Sequence, residues 1–175
     1  MNSFFELLKN RRSIRKYLPK PVEQEKIHCI TKAVLMSPAS KRSNSWEFIV
    51  IQNPEMLKKL ANCRPHGSQL LSDSPLGIVI IADTTKSDVW IEDASIAGII
   101  MQLQAQDLGL GSCWVQVFKR EKDEKTTAEE YIRSLLNIPA QFAILNIISI
   151  GYPNEERNSH DEEKLQIQKI HYEIF

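Results

Sequence analysis

EDASIAGIIMQLQAQDLGLGSCW, residues 92–114, is the stretch whose reading decides the fold. Over Glu92 to Leu108, the residues Ile96, Ala97, Ile99, Ile100, Met101, Leu103, Ala105 and Leu108 put apolar side chains on nearly every face of a helix, and Gly109 supplies a left-handed stop. Such a helix must be buried all round, in a core or against a second chain. Directly after the glycines, Cys113 to Phe118 reads as a strand. Upstream, Gly77 to Ala82 is apolar throughout, so both faces of that strand are covered.

The alternation continues outward. Phe48 to Gln52 is a short β-branched strand, and Asn53 with Pro54 forms the cap and first turn of a helix through Ala61. Thr126 or Thr127, followed three residues later by Glu129 or Glu130, caps a helix through Leu136, and Ile144 to Ile150 is a further strand. At the N-terminal end, Ser3 with Glu6 precedes Phe4, Phe5, Leu7 and Leu8 in a capping-box pattern, so a short helix ends near the arginines that follow. Pro21, then Val22, Ile27, Ile30, Ala33 and Val34, give a second amphipathic helix to about Met36. From Asn154 onward periodicity fades, which places that tail on a surface or on another chain. Interleaved strands and helices without a linker or repeat predict one domain over residues 1–175, with helices on both faces of a sheet and residues 154–175 as an extension.

Composition narrows the function. The 175 residues carry 22 bases and 22 acids for a formal charge of zero, with 42% hydrophobic and 7% aromatic residues. That is an ordinary globular mix, and it excludes a globally basic nucleic-acid binder and an acidic disordered tail. Apolar runs break well before the about 20 residues a bilayer span needs, so no membrane segment is expected. Met1 to Asn10 lacks the basic start and long apolar stretch of a secretory signal. Cys29, Cys63 and Cys113 are odd in number and never form Cys-x-x-Cys, arguing against a disulfide framework and for a reducing, cytoplasmic location. His28, His66, His160 and His171 show no metal-ligand spacing, and no metal is expected.

Charge is uneven locally. Lys9, Arg11, Arg12, Arg15, Lys16 and Lys20 face the single acid Glu6 in the first twenty residues, whereas acids dominate from Asn154 on. A compact basic cluster in a neutral protein points to one anionic ligand rather than a polyanion. Arg11, Arg12, Ser13 and Arg15 put three guanidiniums and a hydroxyl into five residues, a density suited to bidentate capture of a phosphate dianion; a solvated basic turn is the alternative. Ser37-Pro38-Ala39-Ser40-Lys41-Arg42-Ser43-Asn44-Ser45-Trp46 is a loop of small polar residues closed by a tryptophan. It suits a flat polar ligand, with Ser40 and Asn44 for hydrogen bonding and Arg42 for offsetting negative charge, or it is a surface loop pinned by Trp46. Gly109-Leu110-Gly111 runs from helix to strand, the reverse of a Rossmann opening, and there is no Walker loop.

Taken in order, Arg-Arg-Ser-Ile-Arg at 11–15, the Pro38-Ala39-Ser40-Lys41 loop ending in Trp46, Glu92-Asp93-Ala94, Gly109-Leu110-Gly111-Ser112-Cys113-Trp114 and Ile150-Gly151-Tyr152-Pro153 resemble the landmarks of the FMN-dependent nitroreductase family over nearly the whole chain. The resemblance implies an α+β fold, a central mixed sheet flanked by helices on both faces as a three-layer sandwich, and an intertwined homodimer with residues 154–175 lying over the partner subunit. It also implies two FMN molecules at the subunit interface. Arg11, Arg12, Ser13 and Arg15 then correspond to the family's flavin-binding opening, with Arg15 nearer the pyrimidine edge. Pro38, Ala39, Ser40, Arg42 and Asn44 come from the other subunit, Gln69 matches a position with an amide that contacts the flavin, the backbone of Val115 and Gln116 faces the isoalloxazine, and Arg157 adds to the phosphate site.

Two departures from the family pattern stand out. Arg42-Ser43-Asn44-Ser45-Trp46 replaces Asn-Ser-Gln-Pro-Trp, and Arg157 is followed by Asn158, Ser159 and His160 rather than by further bases. The implied activity is transfer of hydride from NADH or NADPH to tightly bound FMN, then to a nitroaromatic, quinone or similar flat acceptor in ping-pong fashion. Reduction puts negative charge along the flavin N1 and C2=O, which a fixed cation such as Arg15 or Arg42 stabilises. Hydride transfer needs no protein acid or base, so no catalytic residue is named. The alternative is an FMN-binding or sensing module without turnover.

Overall fold

The structure is a computed structural model that describes residues 3–175; Met1 and Asn2, part of the N-terminal reading, lie outside the described residues. Four strands, β1 (Trp46–Ile51), β2 (Leu76–Asp83), β3 (Gly111–Gln116) and β4 (Phe142–Gly151), form one sheet in the order β1-β2-β4-β3. Five helices, α1 (Phe4–Asn10), α2 (Gln24–Leu35), α3 (Pro54–Ala61), α4 (Trp90–Asp107) and α5 (Ala128–Leu136), complete an α+β architecture.

Local chemistry accounts for the helix starts. Ser3 Oγ accepts the Glu6 N–H at 3.2 Å to open α1, and Asn53 Oδ1 accepts the Met56 N–H at 2.9 Å while Pro54 fills the first position of α3. Thr127 and Glu130 form a reciprocal capping box on α5, which stops at Asn137 in the left-handed region. By contrast α4 begins on Val89 with no side-chain cap.

All three ladders are antiparallel, with Trp46 opposite Ala82, Leu76 opposite Ile150 and Gly111 opposite Gly151. The sequence resemblance implied a mixed sheet; among the described residues the parallel component is confined to an isolated bridge between Ser13 and Ser112 on the outer edge of β3. A register shift between Ile80 and Ile81 leaves Leu145 of β4 as the extra, bulged residue opposite β2.

The sheet is buried on both faces. One core packs α2 and α4, through Ile30, Val34, Ala94 and Met101, against Ile78, Ile80, Ile148 and Ile150. The other packs α3 and α5, through Leu57, Leu60 and Ile132, against Val79, Val115, Ile144 and Ile147. Each such side chain contributes about 1.5–3 kcal/mol by leaving water. α4 reads as buried all round, in a core or against a second chain, and within one chain Ile91, Ile96 and Ile99 remain 38% exposed, so this helix offers a second apolar face outward.

Residues 13–18 are strapped to the end of the sheet. The Ile14 N–H donates to Ser112 O at 3.0 Å, Leu18 N–H to Tyr152 O at 2.9 Å and Asn154 N–H to Lys16 O at 2.9 Å. Ile14 and Tyr17 are buried beneath, and the Tyr17 hydroxyl donates to Ile14 O at 2.6 Å. Close approach requires glycine here, since a Cβ on Gly111 would sit 2.7 Å from Ile14 Cβ. The tail departs next to this strap. Its first part lies on its own chain: the Arg12 guanidinium donates to Asn158 O, His160 N–H to Lys9 O at 2.8 Å, and Lys9 pairs with Glu162 at 2.6 Å. Beyond that, Leu165, Ile167, Ile170, Tyr172, Ile174 and Phe175 are exposed.

Candidate functional site

α1 ends at Arg11, whose backbone turns extended while its N–H still bonds Leu7 O at 2.9 Å. That turn delivers the basic segment to a groove of about 300 Å³ lined by Arg11, Arg12, Ser13, Arg15, Arg157 and His160. Five of the residues implied or read as anion binders are therefore brought together, including Arg157 from far along the chain. His160 joins them although the sequence offered no motif for it; the available signal was its position three residues after Arg157 in a segment that folds back.

The guanidiniums differ in their prior commitments. Arg12 bonds Asn158 O, and Arg157 pairs with Glu155 at 2.7 Å. The side chains of Arg11 and Arg15 have no hydrogen bond or ion pair among the described residues. Glu155 fixes the geometry from behind, its Oε1 accepting the Arg15 N–H at 2.5 Å and the Lys16 N–H at 3.3 Å. The Arg15 amide, with Arg157 adding its charge, holds the Glu155 carboxyl below the usual carboxylate range. Cys113, close by on β3, is buried, and burial pushes its thiol up, so it is no thiolate nucleophile at neutral pH. A groove with four guanidiniums, a hydroxyl and an imidazole is chemically matched to a phosphate dianion.

The second element is the 38–44 loop. Ser40 to Arg42 forms one 3-10 turn, and Lys41, Arg42 and Asn44 all have positive φ, at 52°, 55° and 42°. Non-glycine residues there cost about 1–3 kcal/mol each and persist only where their surroundings over-determine them. The surroundings do so through Asp93, 3% exposed on the first turn of α4. Its Oδ1 accepts the Ser40 N–H at 2.9 Å, and its Oδ2 accepts the hydroxyls of Ser43 at 3.3 Å and Ser87 at 3.2 Å. Trp46, 6% exposed against Phe48, closes the loop. Sequence reading singled out Glu92-Asp93-Ala94 as a landmark but not Asp93 as the anchor of a loop fifty residues earlier. The arginine groove includes no residue of this loop.

The remaining sites lie elsewhere or are already engaged. Gln69 spends its amide within its own loop, donating to Arg64 O at 3.3 Å and Pro65 O at 3.0 Å and accepting the Gly67 N–H at 2.8 Å. Val115 is fully buried opposite Ile147. The Gln116 carbonyl accepts Arg64 Nη1 at 3.1 Å, and its side chain bridges Trp114 Nε1 and Phe118 O at 2.8 Å and 3.1 Å. This end of β3 is thus a braced wall, with its side-chain donors turned inward. Among the described residues no cluster of three or more metal-ligating side chains occurs, and no helix is long and apolar enough to cross a membrane.

Comparison with known proteins finds relatives over nearly the whole chain. The model of the nitroreductase family matches residues 8–66 and 61–152. An FMN-dependent nitroreductase from Clostridium difficile R20291 superposes with a TM-score of 0.97 at 48% identity, covering 98% of this chain and 100% of that one. A protein of Archaeoglobus fulgidus named for NADH dehydrogenase and NAD(P)H nitroreductase activity is 33% identical over 178 residues, 99% of each chain. An FMN reductase [NAD(P)H] of Bacillus subtilis is 26% identical over 174 residues, 87% of this chain and 67% of its own.

Proposed function

The chain belongs to the nitroreductase family, and from that premise we propose that it is an NAD(P)H-dependent oxidoreductase that carries FMN in the arginine groove. The single observation that carries this reading is the convergence of Arg11, Arg12, Ser13, Arg15, Arg157 and His160 on one groove, from opposite ends of the sequence. The donor set fits a phosphate monoester. Arg11, with no protein partner among the described residues, takes its oxygens without breaking another bond, Ser13 supplies a neutral hydroxyl beside it, and Arg15, equally uncommitted, is left for the pyrimidine edge.

Bound there, FMN supplies a ring that accepts hydride from NAD(P)H and passes the electrons on. The protein's part is to bind, orient and shield. The strap from Ser13 to Leu18 fixes the phosphate donors against the sheet, and the braced end of β3 offers a rigid wall. The 38–44 loop of a second copy completes the pocket and brings Arg42 toward the pyrimidine edge, where a cation favours the reduced state. Exposed Ile91, Ile96 and Ile99 on α4, Phe4 and Phe5 on α1 and the apolar end of the tail support a homodimer of that kind. Flat, electron-poor acceptors such as nitroaromatics and quinones fit a slot of this sort, entering after the nicotinamide leaves. No side chain is assigned as acid or base.

The experiment is anaerobic mixing of the purified protein with NADPH or NADH, then with a quinone or nitroaromatic. We expect a yellow protein that bleaches on the first addition, recovers its colour on the second and gives parallel double-reciprocal plots. A yellow protein that neither nicotinamide reduces would replace the enzyme with a flavin-binding or sensing module; a colourless one that does not take up FMN would refute the site.

A further inference from the structure

We propose that Asp93 is a positioning residue whose buried carboxylate holds Lys41 and Arg42 in the left-handed backbone with which the loop meets the cofactor. The inference rests on reading that loop as one wall of the FMN site, and it adds a residue that touches neither cofactor nor substrate.

Three features point to Asp93. Its two oxygens are divided between functions: Oδ1 takes the main-chain N–H of Ser40, where the 3-10 turn begins, while Oδ2 takes the hydroxyl of Ser43 within the turned segment and that of Ser87 beneath it. A single carboxylate thus brackets Lys41 and Arg42 and ties them to the residues before α4. The charge is buried without an ion pair among the described residues, and what compensates it is three donors together with the N-terminal end of an 18-residue helix. The strained stretch also contains no glycine: lysine, arginine and asparagine occupy the positive-φ positions. Without a clamp these residues relax to the ordinary right-handed or extended regions, swinging Lys41 and Arg42 away from where the loop now presents them. A loop already set in its bound form spares the ligand the cost of ordering it.

The same two residues, Lys41 and Arg42, make the loop a trypsin reporter. Wild type, Asp93→Ala and Asp93→Asn, each stripped of flavin, are compared in two assays: cleavage at Lys41 and Arg42, and FMN affinity from flavin fluorescence quenching. Asp93→Ala should cut faster and bind FMN more weakly, each by about tenfold, the order expected when a ligand must itself order a loop. Asp93→Asn should stay near wild type in both, because an amide oxygen still accepts the Ser40 N–H and its NH₂ can donate to either hydroxyl. FMN should protect the wild-type loop from trypsin. Unchanged cleavage in Asp93→Ala overturns the clamp, while FMN protection in the wild type leaves the reading of the loop intact. Faster cleavage with unchanged affinity, and no protection by FMN, overturns the reading of the loop and the positioning role with it. A purely structural aspartate would lower the melting temperature of Asp93→Ala and leave the affinity of the folded fraction alone, which also overturns the proposal. Should Asp93→Ala fail to fold, Ser43→Ala removes one of the three bonds and must shift both assays in the same direction by less; no shift in either refutes the clamp.

Discussion

Replacing Arg11 by alanine should release FMN, and the structure ranks this substitution above its neighbours. Arg11 and Arg15 bring guanidiniums to the groove with no other bond among the described residues, whereas Arg157 already pairs with Glu155 at 2.7 Å and is 44% exposed. Removing an uncommitted cation deletes a whole charge-assisted contact, worth about 1.5–3 kcal/mol, so the dissociation constant rises roughly 10- to 150-fold. Arg157 must exchange one anionic partner for another, and its net contribution is under about 1 kcal/mol, a change of less than about fivefold. Fluorescence titration of flavin-free protein with FMN measures both. Riboflavin, which has the same ring and no phosphate, is the internal control: wild type and Arg11→Ala should bind it equally. Added salt should weaken FMN binding to wild type more than to the variant, since the lost contact is the ionic one. Equal loss of riboflavin would mean that Arg11 supports the fold or the ring. An Arg157→Ala effect larger than that of Arg11→Ala would refute the ranking by prior partners.

Gly111→Ala drives a Cβ to 2.7 Å from Ile14 Cβ at the centre of the strap, so it should destabilise the protein by about 1–3 kcal/mol in denaturant melts and weaken FMN binding as well. Gly109→Ala meets nothing within 4 Å and suffers only the strain of φ +74°, so its affinity for FMN should be unchanged. Hydrogen bonds from Tyr152, with Lys20 adding its own, depress the Glu23 carboxyl from 4.5 to about 2. The stabilisation is therefore fully present above pH 4.5 and lost as pH falls toward 2, and the melting-temperature advantage of wild type over Glu23→Gln should vanish across that window. Residues 165–175 are all exposed, so their deletion should leave the melting temperature of the folded chain near wild type while shifting sedimentation toward monomer.

The parts of the fold legible in the sequence are those fixed by local chemistry. α3 runs over Pro54–Ala61 as read, because Asn53 and Pro54 specify its start within two residues. α4 starts two residues before the sequence signal at Glu92 because Val89 offers no capping side chain to mark the start, while Trp90 enters the helix buried against Phe118. β3 begins at Gly111 rather than Cys113 because its register with Gly151 extends the ladder, and it stops at Gln116 because the N–H groups of Val117 and Phe118 both turn to Leu145 O. Strand direction was beyond reach, since the long connections conceal it. At the site, the arginine cluster was legible as a density of one chemistry, while Glu155 and Asp93 were not. Each acts through backbone N–H groups that no side-chain motif encodes, and in each case the partner is more than fifty residues away.

The two halves of the proposed site are related in a way that has a thermodynamic consequence. The arginine groove is built where the N-terminal strap meets the end of β4, and the Asp93-anchored loop joins α2 to β1; the groove includes no residue of the loop. If a second copy supplies the loop, each FMN bridges two chains and binds the dimer more tightly than the monomer. By linkage, each FMN must then strengthen dimerisation by the same factor by which dimerisation strengthens its binding, so that filling both sites of the dimer does so by the square of that factor. Dilution of the flavin-free protein should shift it toward monomer, added FMN should reverse that shift, and the apparent FMN affinity should fall with protein concentration below the dimer midpoint. Arg11→Ala provides the sharpest form of the test. It lies outside the loop, so its loss of FMN should abolish the stabilisation of the dimer by FMN without changing flavin-free dimerisation. Sedimentation equilibrium with and without FMN measures both quantities on one sample, and a dimer constant indifferent to flavin in the wild type would mean that each chain completes its site alone.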